Sequence, residues 1–250
     1  MRAVSQAIAS EQSLPTLTTI VNLVDTRPRS GDWLYQFFDL PIEVASQLQA
    51  AARPRSFARG ETLFCPEEPS DSLFLIRSGR VKLLLGGNLR EDLLIRILGA
   101  GDYCGELALL SPRRSPLLAI AMEPTETSVL GRDALEPAFA ESPDLASHLL
   151  SGASEQLLAA YDLVLDTLEL DTAGRLAKKL LALVQDHGWS DENCAVIDIG
   201  LTQQDLARML GVSRESVNKQ LSWFQARGIL EVERGRIVIR RPGDLRRRIC

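Results

Sequence analysis

Between residues 55 and 130 the apolar positions fall in short runs: SFA, TLFC, SLFLIR, RVKLLL, DLLIRIL, LLAIAM and TSVL. Polar and glycine-bearing breaks separate them: RG at 59–60, EEPSD at 67–71, SG at 78–79, GGN at 86–88, GAGD at 99–102 and EPTE at 123–126. Short strands at this spacing predict an all-β sandwich or barrel. The glycines suit tight turns, many of which need positive φ.

On both sides of this stretch the period changes from strand-like to helical. In WLYQFFDLPIEVASQLQAAA (33–52), Leu40, Val44 and Leu48 recur every four residues, and Pro41 suits a first helical turn. A short helical segment around 133–139 is followed by SPD, where Ser142 and Pro143 start a helix predicted to reach about Leu170. Within it Leu157, Tyr161, Val164 and Leu168 are spaced as an a/d seam, widened by Leu158 and Leu165. Such a helix can lie on its own β domain or pair with a second copy of itself. A stripe this broad serves both, and it predicts a parallel homodimer.

LTQQDLARMLGVSRESVNKQLSWFQARGIL (201–230) is the most specific stretch. Thr202 can cap a helix from Gln203, with Asp205 placed to answer it. Leu206, Ala207 and Leu210 form the apolar face, and Gly211 ends the helix. Ser213 caps a second helix on which Val217, Leu221 and Phe224 face inward. A small residue at 207, a glycine at 211 and a β-branched residue at 217 have the spacing of a helix-turn-helix. The second helix then presents Arg214, Glu215, Asn218 and Lys219 near its N-terminus, the end that reaches base edges in the major groove. Arg can pair bidentately with guanine, and Glu can accept from the cytosine amino group. EVERGRIVI (231–239) reads as two strands around Arg234–Gly235, a wing whose arginines suit phosphate contacts.

Charge agrees with that reading. Residues 201–250 hold 11 Lys and Arg against 5 Asp and Glu (net +6), while residues 1–200 hold 17 against 28 (net −11). A basic C-terminal fifth on an acidic body points to a polyanion-binding module. No apolar run reaches the roughly 18 residues of a membrane span, and the N-terminus is a poor secretory signal; no membrane partner and a cytoplasmic location are expected. The four cysteines lie far apart without C-x-x-C spacing, and two histidines are too few and too isolated for a metal or haem site. With no triad-like grouping, metal cluster or P-loop, the chain does not read as an enzyme.

RGETLFCPEEPSDSLFLIRSGRVKLL, LGAGDYCGELALL, LDTAGRLAKKLL and LTQQDLARMLGVSRESVNKQL together resemble the CRP/FNR family of bacterial transcription regulators, over roughly residues 33–240. The resemblance implies an α+β chain: an N-terminal antiparallel β jelly roll, a long dimerisation helix and a C-terminal winged helix-turn-helix. The expected divisions are a flexible arm at 1–30, a cyclic-nucleotide-binding-like domain at 31–140, the dimerisation helix at 141–170 and the DNA-binding domain at 171–250. It implies a homodimer on a palindromic double-stranded operator, with RNA polymerase as a further partner. Thr202, Gln204, Ser213, Arg214, Glu215, Asn218 and Lys219 would contact the DNA, and Leu157, Tyr161, Val164 and Leu168 would form the dimer interface. Lys219 stands where many members carry Arg, and Lys cannot make a planar fork.

The resemblance also places an effector site at Gly105, Glu106, Leu107, Arg113, Arg114, Ser115 and Tyr161. There the glutamate would accept from a ribose hydroxyl, and the Arg-Ser pair would hold a cyclic phosphate. This sequence departs from the pattern in three places. Glu106 and Arg114 are 8 residues apart, so the loop is short. Pro116 removes an N–H donor and biases Ser115 toward extended geometry. The adenine-contacting pair falls on Ala160 and Tyr161. The expected ligand is therefore regulatory and not tightly bound: a cyclic mononucleotide in first place, a cyclic dinucleotide such as c-di-GMP in second. A ligand-independent regulator with a purely structural β domain is the third alternative.

Overall fold

In the computed structural model, residues 40–66, 71–86, 92–111, 115–190, 194–233 and 235–249 are described, with Leu34 and Phe38. The expected arm at 1–30 lies outside them.

The apolar runs become the strands of a sandwich. One antiparallel sheet has the order β1 (Arg53–Phe57), β8 (Thr125–Gly131), β3 (Ser72–Ser78) and β6 (Tyr103–Cys104). The other has the order β2 (Thr62–Phe64), β7 (Leu117–Ala121), β4 (Val81–Leu85) and β5 (Leu93–Leu98). Alternation along β3 builds two cores at once. Phe74 and Ile76 point between the sheets to meet Phe57, Phe64, Leu83 and Leu98. Leu73 and Leu75 point outward, under a layer made by α1 (Ile42–Ala51), α3 (Arg132–Glu141) and the start of α4 (Pro143–Glu169). A five-residue helix, α2 (Glu106–Leu110), follows β6.

α4 starts at the expected Pro143, although Ser142 makes no side-chain capping bond. It ends at Glu169; Leu170 is extended, and Asp171 caps α5 (Thr172–His187) by accepting from the Gly174 N–H at 2.7 Å. The helical break thus falls at Leu170 and Asp171.

The C-terminal unit continues with β9 (Gly188–Ser190), β10 (Ala195–Asp198), α6 (Gln203–Leu210), α7 (Arg214–Ala226), β11 (Leu230–Glu233), β12 (Arg236–Ile239) and α8 (Pro242–Arg246). Its sheet runs β11-β12-β10-β9, so the expected wing hairpin is extended by two strands that no periodicity announced. Phe224, Leu221 and Val217 of α7 are buried against Leu176 and Leu180 of α5.

This third core does not stop at the unit's edge. Leu84, Leu94 and Ile97, on the outer face of β4 and β5, belong to the same apolar cluster as Met209 and Leu210. Strict alternation forbids Leu94 and Ile97 from sharing a face. A register shift opposite Leu83 and Leu84 allows it. The sandwich therefore lies between a helical layer on one side and the C-terminal unit on the other.

Candidate nucleic-acid interface and effector site

The turn between α6 and α7 is built as its residues demand. The Thr202 hydroxyl accepts from the Asp205 N–H at 3.1 Å, and the Asp205 carboxylate accepts from the Thr202 N–H at 3.1 Å, a reciprocal capping box. Gly211 closes α6 at φ 61°, a left-handed conformation that other residues adopt only at a cost. Ser213 then accepts from the Ser216 N–H at 3.2 Å and starts α7.

On α7, Arg214, Glu215 and Lys219 are exposed on the N-terminal half, with exposed Ser213 and Thr202 and half-buried Gln204 nearby in the chain. The Glu215 carboxylate is held below its ordinary range by its own backbone N–H and the Ser213 hydroxyl. Asn218 is less outward than its sequence position suggests: it is half-buried, and its Oδ1 is enclosed without a partner among the described residues. The basic balance of this unit is also partly spent internally. Arg240 forms a forked pair with Glu231 at 2.9 and 3.1 Å, Arg247 pairs with Asp244, and Arg227 and Arg248 lie over the Trp223 ring at 3.7 and 4.9 Å. In the wing Arg236 is exposed, and Arg234 lies outside the described residues.

At the other candidate site, Gly105 adopts φ 100°, and a Cβ there would collide with the Ser72 carbonyl oxygen. That conformation turns the chain so that Glu106, first residue of α2, is 1% exposed. Its carboxylate accepts from the Gln156 side-chain amide of α4. Burial pushes the Glu106 carboxyl above its ordinary range, against the opposing pull of its own N–H, Gln156 and Arg96. Leu107 packs beside the inter-sheet core, and the Ser115 hydroxyl accepts from the Leu117 N–H at 3.2 Å. Arg113 and Arg114 lie outside the described residues. Tyr161 is 56% exposed on the α4 stripe, so the α4 residue that reaches Glu106 within the chain is Gln156. Nothing in SEQLLAAYDL marks Gln156 in advance.

One charged contact joins the two regions. Lys82 of β4 donates to Asp205 at 3.1 Å, the same carboxylate that completes the α6 capping box. Burial alone would push the Asp205 carboxyl up, but Thr202 and Lys82 outweigh it and hold it below its ordinary value of 3.8. A lowered folded pKa stabilises the fold above 3.8, and that contribution is lost as pH falls through the folded value. Lys82→Met should therefore cost about 1–2 kcal/mol at neutral pH, since Asp205 keeps its Thr202 partners. Thermal melts across pH should show the penalty shrinking toward the acid limit of folding; a pH-independent penalty would mean lost packing alone.

Two family models match the chain: a cyclic nucleotide-binding domain over residues 54–142 and a Crp-like helix-turn-helix domain over residues 174–248. The chain is 33% identical over 208 residues to the "CRP-like cAMP-activated global transcriptional regulator" of Mycobacterium tuberculosis, spanning 83% of this chain and 92% of that protein. It is 29% identical to the "Cyclic AMP receptor protein" of Thermus thermophilus, spanning 80% and 89%. Among solved structures it resembles a CooA mutant from Carboxydothermus hydrogenoformans, with TM-score 0.71 and 21% identity over 86% of this chain and 94% of that one. A sensor-type β sandwich carrying a winged helix-turn-helix defines a DNA-binding transcription regulator, not an enzyme. The chain belongs to the CRP/FNR family of transcription regulators.

Proposed function

We propose that the protein acts as a homodimer whose grip on a palindromic operator is set by a cyclic mononucleotide at Glu106. The observation that carries this reading is the bond between Glu106 and Gln156. A desolvated carboxylate on the sandwich is tied to the long helix by one side-chain amide. A ribose hydroxyl donating to Glu106 would replace that tie and so act on the sandwich and α4 together. Relatives described as cAMP-activated or as a cyclic AMP receptor favour a mononucleotide. Arg214, Glu215 and Lys219 would read each half-site, and RNA polymerase is the natural partner of the bound dimer.

The mechanism is a shift between two settings of the α4–α5 break. A nucleotide shifts the balance only as far as it binds the two settings unequally. Effector and operator then raise each other's affinity by the same factor. Calorimetry with cyclic AMP, cyclic GMP and c-di-GMP, with and without operator, tests this. Heat only with c-di-GMP would move the effector to a dinucleotide. No heat with any of them would favour a structural β domain, which the Gln156 bond would already complete.

Glu106→Gln separates binding from folding. The amide keeps an oxygen for Gln156 but cannot serve as a carboxylate acceptor, so cyclic nucleotide binding should be lost. Because the folded pKa of Glu106 is raised, ionising it costs stability as pH rises through that value. The variant should therefore melt higher than the wild type at neutral and alkaline pH, with the gap closing as pH falls below the ordinary value of 4.5. An equal or lower melting temperature at pH 8 would contradict a desolvated carboxylate.

A further inference from the structure

A cavity of about 390 Å³ opens where β5, α4, α5 and α6 converge, a volume within the range of roughly 300–1,000 Å³ typical of small-molecule sites. It lies on the face of α4 marked by Glu155, Ala159, Asp162 and Asp166, apart from the exposed stripe of Leu157, Val164 and Leu168. A neighbouring cavity of about 290 Å³ shares Arg96 and Glu155 with it. The groove is assembled within one chain and does not include Glu106.

Its charges differ in exposure. Arg96, Arg175, Lys178 and Lys179 are all half-buried, whereas Glu155, Asp162 and Asp186 are exposed. Lys178 is already neutralised by Asp166 at 2.5 Å. Arg96 and Lys179 have no ion pair among the described residues, and burial pushes the Lys179 ammonium below its ordinary range. Half-buried cations held in no ion pair, with Lys179 drawn only at longer range by Asp186 and Asp166, favour an anionic group, while the exposed acids accept hydrogen bonds from its other substituents.

We propose that this groove is a second effector site, which takes a compact molecule with one phosphate or carboxylate on Arg96 and Lys179 and hydroxyl or amino groups toward Glu155, Asp162 and Asp186. The site senses the pose of the DNA-binding unit, because Met209 and Leu210 of α6 form part of its wall. Arg175 strengthens the link, since its Nη1 donates to the Leu210 carbonyl at 3.1 Å, at the C-terminal end of α6. A ligand seated here binds the docked arrangement and not one in which α6 has left β5.

Titration of the full-length protein with ribose 5-phosphate and, separately, gluconate tests the proposal and distinguishes a phosphate from a carboxylate. Saturable binding of at least one is expected, with a raised melting temperature. Affinity should fall at least tenfold in Arg96→Gln/Lys179→Gln and stay unchanged in Arg59→Gln, which removes an exposed cation outside the groove. Absence of saturable binding by both in the wild type overturns the proposal, as does undiminished affinity in a double variant with a wild-type circular dichroism spectrum. Cyclic AMP titrated into the same three proteins reports on the Glu106 site independently. Its failure to bind leaves the groove result readable.

Discussion

Val164→Asp/Leu168→Asp should yield a folded monomer that binds a palindromic operator at least a hundredfold more weakly than the wild type. In the single chain Leu157, Tyr161, Val164 and Leu168 are 53, 56, 58 and 78% exposed, a run of large apolar side chains along one helix with nothing over it among the described residues. Contiguous exposed apolar surface of this kind marks an interaction surface. Two carboxylates in such a seam face their symmetry mates across a dry interface, where neither is paired nor hydrated. The fold itself has no stake in Val164 and Leu168, because α4 is anchored to its own domain by Leu145 and Leu149, both buried and more than ten residues before them. Operator affinity suffers because a dimer places two recognition helices one helical turn apart on the duplex. Losing that linkage removes an advantage on the order of 10²–10⁴. Sedimentation equilibrium and gel shifts on full and single half-sites check both parts. A variant that stays dimeric, or holds the full palindrome as tightly as before, would show that the stripe is not the interface.

The sequence made local features legible and left distant ones hidden. The Thr202–Asp205 box, the Gly211 turn and the Ser213 cap are each decided within a few residues, by groups that satisfy or terminate the same helix. The strand runs were legible for a similar reason, since alternation along β3 records two apolar environments in consecutive letters. Lys82 carries no such record. Its partner Asp205 is 123 positions away, and only the docking of β4 on α6 makes the pair. Gln156, one polar residue in an amphipathic helix, gains meaning from Glu106 only across 50 positions. β9 and β10 carry no such signal because GWS and AVID are too short to show a period; pairing of β10 with β12, and of β9 with β10, makes them strands. The groove beneath Arg96 was equally invisible, since its cations come from β5 and α5 and each reads alone as a solvated surface charge.

Arg214→Ala should weaken operator binding and blur its base preference at one position in each half-site. Arg214 is the first residue of α7, exposed and free of any ion pair among the described residues, so its guanidinium fork is available to an external acceptor. A bidentate contact to guanine is worth about 1–3 kcal/mol. Because a symmetric dimer makes it twice, the loss on a palindrome is roughly 2–6 kcal/mol, or about 30-fold to 10⁴-fold. Removing Arg214 leaves the α7 start intact, since Ser213 and Ser216 hold the cap. Lys219, one turn further along, supplies the internal contrast. Its ammonium is a point charge without a fork, so Lys219→Ala should blur base preference less than Arg214→Ala and reduce the salt slope by about two, one charge per half-site. Binding measured on a set of single-base operator variants separates the two roles. If Arg214→Ala instead weakens every sequence by the same factor, its contact is with phosphate, and the half-site is read by Glu215 and the residues around it.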